Sequence, residues 1–166
     1  MKGDKMAYTE KGTVPLWFSE KYCNKITTGI QLPAYLESIE KLAFAYIVNL
    51  EEIELPDTVT ELGDSAFEGC TQLSEITSWG GLTTIGSFAF ASIQSMRTIT
   101  LPSNIKTIGS NAFSSSNALK SFFYLGKDQL TCDGTLFENT AMENIRVMNT
   151  FTAEKMCFDE TEKTIT

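Results

Sequence analysis

Four cysteines, a large acidic complement and a complete lack of histidine bound the chemistry open to this chain. Cys23, Cys70, Cys132 and Cys157 lie far apart with no C-x-x-C pair, so zinc would need a site assembled from widely spaced thiolates and carboxylates. Without histidine the commonest general base is missing, and with it every Ser-His-Asp or Cys-His nucleophile. No G-x-S-x-G, P-loop or G-x-G-x-x-G segment occurs. The carboxylates that do cluster are Glu51, Glu52, Glu54 and Glu75. Calcium would demand six or more oxygens from a shaped loop, and no Asp-rich spacing surrounds them. The expectation is no catalytic residue, no metal, no cofactor and no enzyme, with the acidic side chains facing a basic partner or simply water.

The elements that place these residues must come from a single domain. The chain has 166 residues, 42% of them hydrophobic, enough for one continuous core. A formal net charge of −8 argues against nucleic acid as the main partner. The longest apolar runs, such as Leu42 to Val48, are far too short to span a bilayer, so membrane insertion is not expected. Met1 to Gly12 is polar and charged with no apolar h-region, which reads as no signal peptide: a cytosolic chain, or one that begins after a removed signal.

An internal period of 23 residues organises the sequence. Residues 27–49, 50–72, 73–95 and 96–118 align without a gap, and 119–141 and 142–164 keep the strand pattern while losing much of the rest. A large apolar residue opens each turn at Leu50, Leu73, Met96, Leu119 and Met142. Three residues on stand Ile30, Ile53, Ile76, Ile99, Phe122 and Ile145, and two further on Leu32, Leu55, Leu101, Tyr124 and Val147. The step of two is strand alternation with both side chains on one face. Pro33, Pro56 and Pro102 follow and end the ladder, since proline carries no N–H. A second apolar pair comes at Leu36/Ile39, Val59/Leu62, Leu82/Ile85 and Ile105/Ile108. Gly63, Gly86 and Gly109 then mark a corner that needs either positive φ or close backbone approach. Ala43-Phe44, Ala66-Phe67, Ala89-Phe90 and Ala112-Phe113 close the turn, and these phenylalanines should stack through the core. The segments around them read as one short helical turn each, with Asp64 or Ser110 as caps.

The pattern L-x-x-I-x-L-P-x-x-V/I-x-x-I-G-x-x-A-F resembles the BspA-like leucine-rich repeats of bacterial surface proteins and some protist proteins. It is strong from 27 to 118 and weak beyond. Turn 73–95 departs by carrying Trp79 at the proline position, where packing at the rim is the favoured reading. Turn 119–141 departs with Leu125, no Ile-Gly, and Leu136-Phe137 in place of Ala-Phe. The resemblance implies an α/β leucine-rich-repeat solenoid, right-handed, with a parallel β-sheet on one face and short helical turns and loops on the other. It implies a non-enzymatic binding or adhesion module, monomeric, at the cell surface or secreted, with a protein or extracellular-matrix ligand. The rival reading is a structural spacer, or a repeat fragment of a larger surface protein, with no ligand of its own.

On this frame the chain divides into 1–26 as an N-terminal cap or degraded half-repeat, 27–141 as the solenoid, and 142–166 as a last strand with a cap or truncated repeat. Caps are needed because a solenoid exposes an unpaired strand and an open core at each end. Trp17, Phe18 and Tyr22 should cover the first turn from a short helix, and Phe151, Met156 and Phe158 the last. Cys70 shares its repeat position with Ile47 and Ile93, so it reads as a buried free thiol. Cys132 and Cys157 fall in worn turns, where nothing in the spacing requires a bridge between them and nothing forbids it.

Six strands about 4.8 Å apart would make a sheet roughly 24 Å wide. Its outer face carries one row of Gly29, Glu52, Glu75, Thr98, Ser121 and Asn144, and another of Gln31, Glu54, Thr77, Thr100, Phe123 and Arg146. The face therefore runs from acidic at Glu52, Glu54 and Glu75 to basic with an aromatic at Lys120, Phe123 and Arg146. Those six residues are the candidate partner-binding set. Phe123 reads equally as an outward hot-spot aromatic or as a ring tucked under the C-terminal end.

Overall fold

The computed structural model describes residues 6–7, 12–26, 28–128 and 130–147. The chain winds as a parallel solenoid in which each turn contributes two strands. In chain order these are β1 (Met6–Ala7) and β2 (Gly12–Val14), then a helix α1 (Phe18–Tyr22), β3 (Gly29–Gln31) and β4 (Leu36–Ile39). There follow β5 (Glu52–Leu55) and β6 (Glu61–Leu62), β7 (Glu75–Trp79) and β8 (Thr84–Ile85), and β9 (Thr98–Leu101) and β10 (Thr107–Ile108). The last are β11 (Ser121–Tyr124), β12 (Thr131–Cys132) and β13 (Asn144–Val147). The even-numbered strands β2 to β12 form one continuous ladder of short strands. The odd-numbered strands carry the residues of the predicted face.

The expected six-stranded face is not continuous. It divides into a four-stranded sheet, β1-β3-β5-β7, and a three-stranded sheet, β9-β11-β13. The first of these begins one strand earlier than the repeat alignment, because Met6 pairs with Ile30 and Ala7 with Gln31. Likewise Val14 pairs with Ile39, so residues ahead of the recognisable repeats already follow the solenoid path.

The core is a set of stacked columns. Phe44, Phe67, Phe90 and Phe113 lie parallel with centroids 5.0, 5.3 and 5.8 Å apart. Phe137 extends the stack at 5.6 Å, and Phe18 closes its other end edge-on at 5.1 Å. Parallel rings at that separation are offset rather than face to face, the arrangement the ring quadrupole prefers. Leu136-Phe137 thus replaces Ala-Phe without loss of burial. Trp17 does not supply the apolar cover expected of it; it flanks α1 and is 42% exposed.

The third side of each turn is not helical, which corrects the short helical turns expected around the Ala-Phe pairs. Leu42, Phe44 and Tyr46 donate their N–H groups to the carbonyls of Asp64, Ala66 and Glu68 in the next turn, at 2.9, 2.8 and 2.7 Å. Ser65, Phe67 and Gly69 repeat this towards Ser87, Ala89 and Ala91. The residues between fold back by three positions, as Ala43 does to Glu40 at 3.2 Å. A helix would direct every N–H along its own axis; sending alternate ones sideways requires alternate backbone inversions. Left-handed φ values accordingly recur at Leu42 (60°), Ser65 (54°), Phe88 (57°) and Asn111 (56°). They recur again at Tyr46 (60°), Gly69 (71°), Ser92 (59°) and Ser115 (55°). Asp64 caps no helix; its Oδ1 accepts from the Ser87 N–H of the following turn at 2.8 Å.

The corner glycines are there for close approach. A Cβ on Gly63 would lie 2.3 Å from the Lys41 nitrogen, and one on Gly109 would lie 2.4 Å from the Ser87 nitrogen. Backbone of one turn sits directly on backbone of the next. The prolines also open a turn: the carbonyls of Pro33, Pro56 and Pro102 accept from Leu36, Val59 and Ile105 at 3.1, 3.0 and 3.4 Å.

Candidate functional site

The exposed face is built by strand alternation, which buries Ile53 and Leu55 and leaves Glu54 exposed and Glu52 partly so. Pairing of β5 with β7 sets Glu52 directly opposite Glu75, as the repeat register predicts. Glu54 lines a cavity of about 400 Å³ with Gln31, Leu32, Ala34 and Pro56. The three candidate acids therefore share one sheet. On the other, β11 places Phe123 opposite Arg146 on one side and Thr100 on the other. Phe123 is half-buried, and the Arg146 guanidinium carbon stands 5.8 Å from its ring centroid. This is cation–π geometry on the exposed face. Lys120 does not offer an isolated positive charge, because its Nζ lies 2.7 Å from Glu143 Oε1. The basic end of the face is accordingly weaker than the sequence suggested.

Between the two halves lies a feature that the repeat alignment did not reveal. In β7 the register slips: Glu54 faces Ser78 instead of Thr77, and Leu55 faces Trp79. Thr77 is the extra residue, and its hydroxyl donates to the Ile53 carbonyl at 3.3 Å. The cause is compositional. Position 78 is serine where neighbouring turns have Leu55 and Leu101, so the leucine column lacks its apolar member. The bulge swings Trp79 into that place, where its indole packs edge-on to Phe90 at 5.6 Å. Trp79 thus belongs partly to the core as well as to the rim. Its carbonyl still accepts from Leu82 at 3.2 Å, the bond that proline makes in neighbouring turns. Gly80 follows with φ +54°, at a place where a Cβ would lie 2.1 Å from the Pro56 oxygen.

Bending β7 opens the face. Ser74 donates its N–H to Glu51 at 2.9 Å, Lys120 to Arg97 at 2.9 Å, and Glu143 to Lys120 at 2.9 Å. Among the described residues the counterpart from Arg97 to Ser74 is not formed, although the other two ladders of the solenoid pass through this level uninterrupted. The resulting slot, about 190 Å³, is lined by Ser74, Glu75, Ile76, Trp79, Met96, Thr98, Ile99 and Thr100. Ile76 is partly exposed there, while Ile53 and Ile99 in the same column are buried. The signal in the sequence was the missing Leu-Pro pair together with Gly80-Gly81.

Cys70 is fully buried, and its Sγ donates to the Phe44 carbonyl at 3.0 Å. Burial pushes the thiol from 9.0 up to about 12, so it stays protonated. Cys23 is a free thiol, whereas Cys132 is disulfide-bonded. Phe151, Met156, Phe158 and Cys157 lie outside the described residues. Among the described residues no group of three or more cysteine and carboxylate side chains is placed to hold a metal, and no helix is long and apolar enough to cross a membrane.

The sequence profile of the BspA type leucine rich repeat region matches residues 37–165 in 6 copies. The chain superposes on the crystal structure of a leucine-rich repeat protein from Eubacterium ventriosum ATCC 27560 with a TM-score of 0.76 at 20% identity. That superposition covers 87% of this chain and 39% of the other, so the chain spans about two-fifths of that protein's length. A pneumococcal vaccine antigen, PcpA, aligns with a TM-score of 0.48 at 22% identity over 75% of this chain and 31% of its own. A leucine rich cell surface protein of Faecalibacterium prausnitzii A2-165 aligns with a TM-score of 0.38 at 21% identity, over 68% of this chain and 41% of its own. No curated protein matches the chain.

Proposed function

The chain belongs to the BspA-type leucine-rich repeat family, and from that premise we propose that it is a non-enzymatic protein-binding module of the adhesion kind, acting at the cell surface or after secretion. Its ligand is a protein of the extracellular matrix or of another cell, engaged through the exposed face of the odd-numbered strands. One observation carries this reading: Glu52 and Glu75 stand directly opposite each other on paired strands. Like charges in that relation repel each other. A basic surface laid across the face would relieve the repulsion and convert it into affinity and on-rate. Phe123 under Arg146 supplies the aromatic and guanidinium chemistry that concentrates binding energy at interfaces.

The test is capture of immobilised matrix proteins by the wild type and by a Glu52→Lys/Glu54→Lys/Glu75→Lys variant. Capture that the variant loses, with its melting temperature within a few degrees of wild type, supports the reading. Equal capture by both moves the site to Phe123 and Arg146, which Phe123→Ala then checks. No capture by either overturns the proposal in favour of a structural spacer.

A further inference from the structure

We propose that the slot between β7 and β9 is a specific receptor for one arginine side chain projecting from the protein partner. This rests on the sheet-face binding reading and names the chemistry at its centre. The slot has room for a single side chain, well below the size of a drug-like ligand pocket. Its walls are chemically divided. Ile76, partly exposed with Met96 and Ile99 buried behind it, offers the apolar surface against which the methylene stem of a long side chain can lie. Glu75 stands exposed at the lip, with Glu52 opposite it on β5. Trp79 lines the same slot and is partly exposed, and indole is the aromatic ring that attracts a cation most strongly.

Backbone supplies the remaining element. Among the described residues, four other adjacent pairs of turns along this face have the residue at the Ser74 position accepting a hydrogen bond from the next turn: Thr28 from Glu51, Glu51 from Ser74, Arg97 from Lys120 and Lys120 from Glu143. At the splayed level the Ser74 carbonyl is the acceptor that this ladder leaves over. A planar guanidinium presents five donors in a fixed fork and is weakly hydrated, so it can serve a carboxylate and a carbonyl together while stacking on an aromatic ring. A carboxylate-bearing ligand would meet the exposed Glu75, and a purely aliphatic one would bring no donor to the Ser74 carbonyl.

The experiment titrates the ¹⁵N-labelled domain with the pentapeptide amide acetyl-Gly-Thr-Arg-Thr-Gly, and with the same peptide carrying leucine or glutamate in place of arginine. The expected result is saturable amide shifts confined to residues 74–80 and 96–100 and to the Trp79 indole, given by the arginine peptide alone. Glu75→Gln should weaken that binding at least tenfold. Ser78→Leu with Trp79→Pro restores the Leu-Pro pair of the neighbouring turns, should close the ladder, and should abolish the shifts while all three glutamates remain. If that double variant does not fold, Glu75→Gln, a surface change, carries the test. Shifts that are absent, equal for the three peptides, located elsewhere, or indifferent to these substitutions overturn the proposal. Matrix capture lost by the triple-lysine variant but kept by the Ser78/Trp79 variant overturns the slot alone and leaves the face standing.

Discussion

Removing the ring of Phe67 tests how the solenoid holds together. Phe67 is fully buried, with parallel rings on both sides, Phe44 at 5.0 Å and Phe90 at 5.3 Å. Truncating a buried phenylalanine to alanine typically costs about 3–5 kcal/mol. Each stacked neighbour adds about 0.5–1.5 kcal/mol beyond area burial. Backbone packed directly on backbone at Gly63 and Gly86 prevents the turns from closing over the void, so the loss should fall near the top of the range, at about 5 kcal/mol. Stability in stacked repeats is a sum of turn and nearest-neighbour terms. Phe67→Ala should therefore also weaken the coupling between the turns before and after it. Trp17 lies on one side of the lost ring and Trp79 on the other. In Trp79→Leu and Trp17→Phe backgrounds each remaining indole reports its own half. Urea titration should give coincident transitions without the Phe67 change, and in Phe67→Ala an earlier transition at Trp17 than at Trp79. Val48→Ala, at a residue 47% exposed, should move the midpoint by less than about 0.5 kcal/mol. A loss below about 2 kcal/mol in Phe67→Ala with coincident transitions would refute the claim that the phenylalanine column binds the turns together.

Other perturbations follow from the same geometry. Ser92 holds φ 59° at the place that Gly69 occupies one turn earlier, so Ser92→Gly should raise stability by about 0.5–1 kcal/mol in thermal unfolding. Gly69→Ala should lower it by more, since the new Cβ would meet the Tyr46 ring at 2.5 Å. In Cys70 the folded thiol value lies above the unfolded one, so its contribution is complete below about pH 9 and is lost as pH rises towards about 12. The wild type should therefore lose stability relative to Cys70→Ser in that alkaline window, by up to about 1.4 kcal/mol per pH unit. Serine is tolerated in the same column, where Ser116 donates to the Phe90 carbonyl at 3.2 Å. At pH 8 iodoacetamide should label Cys23 before Cys70, read by mass spectrometry. Lys120→Ala, which removes a pair half-exposed on both sides, should change stability by less than about 0.5 kcal/mol.

The period, the strand columns, the phenylalanine stack and the opposition of Glu52 to Glu75 are all legible in the order of residues alone. These depend on side-chain size recurring at fixed spacing, and a parallel solenoid converts spacing along the chain directly into neighbours across turns. The purpose of Gly63, Gly86 and Gly109 was half legible: the need for glycine was plain, but close approach rather than positive φ appears only when turns are stacked. The non-helical third side was not legible, because D-S-A-F and S-N-A-F look locally like helix starts. Hydrogen bonds to a neighbouring turn outweigh that local preference, and they exist only in the assembled stack. The break in the face was hidden for a related reason. Read as a string, Ser78-Trp79 is one poor repeat among good ones. Only when Trp79 has to fill a column left short by Ser78 does Thr77 become surplus, β7 bend away from β9, and a continuous sheet become two with a slot between them.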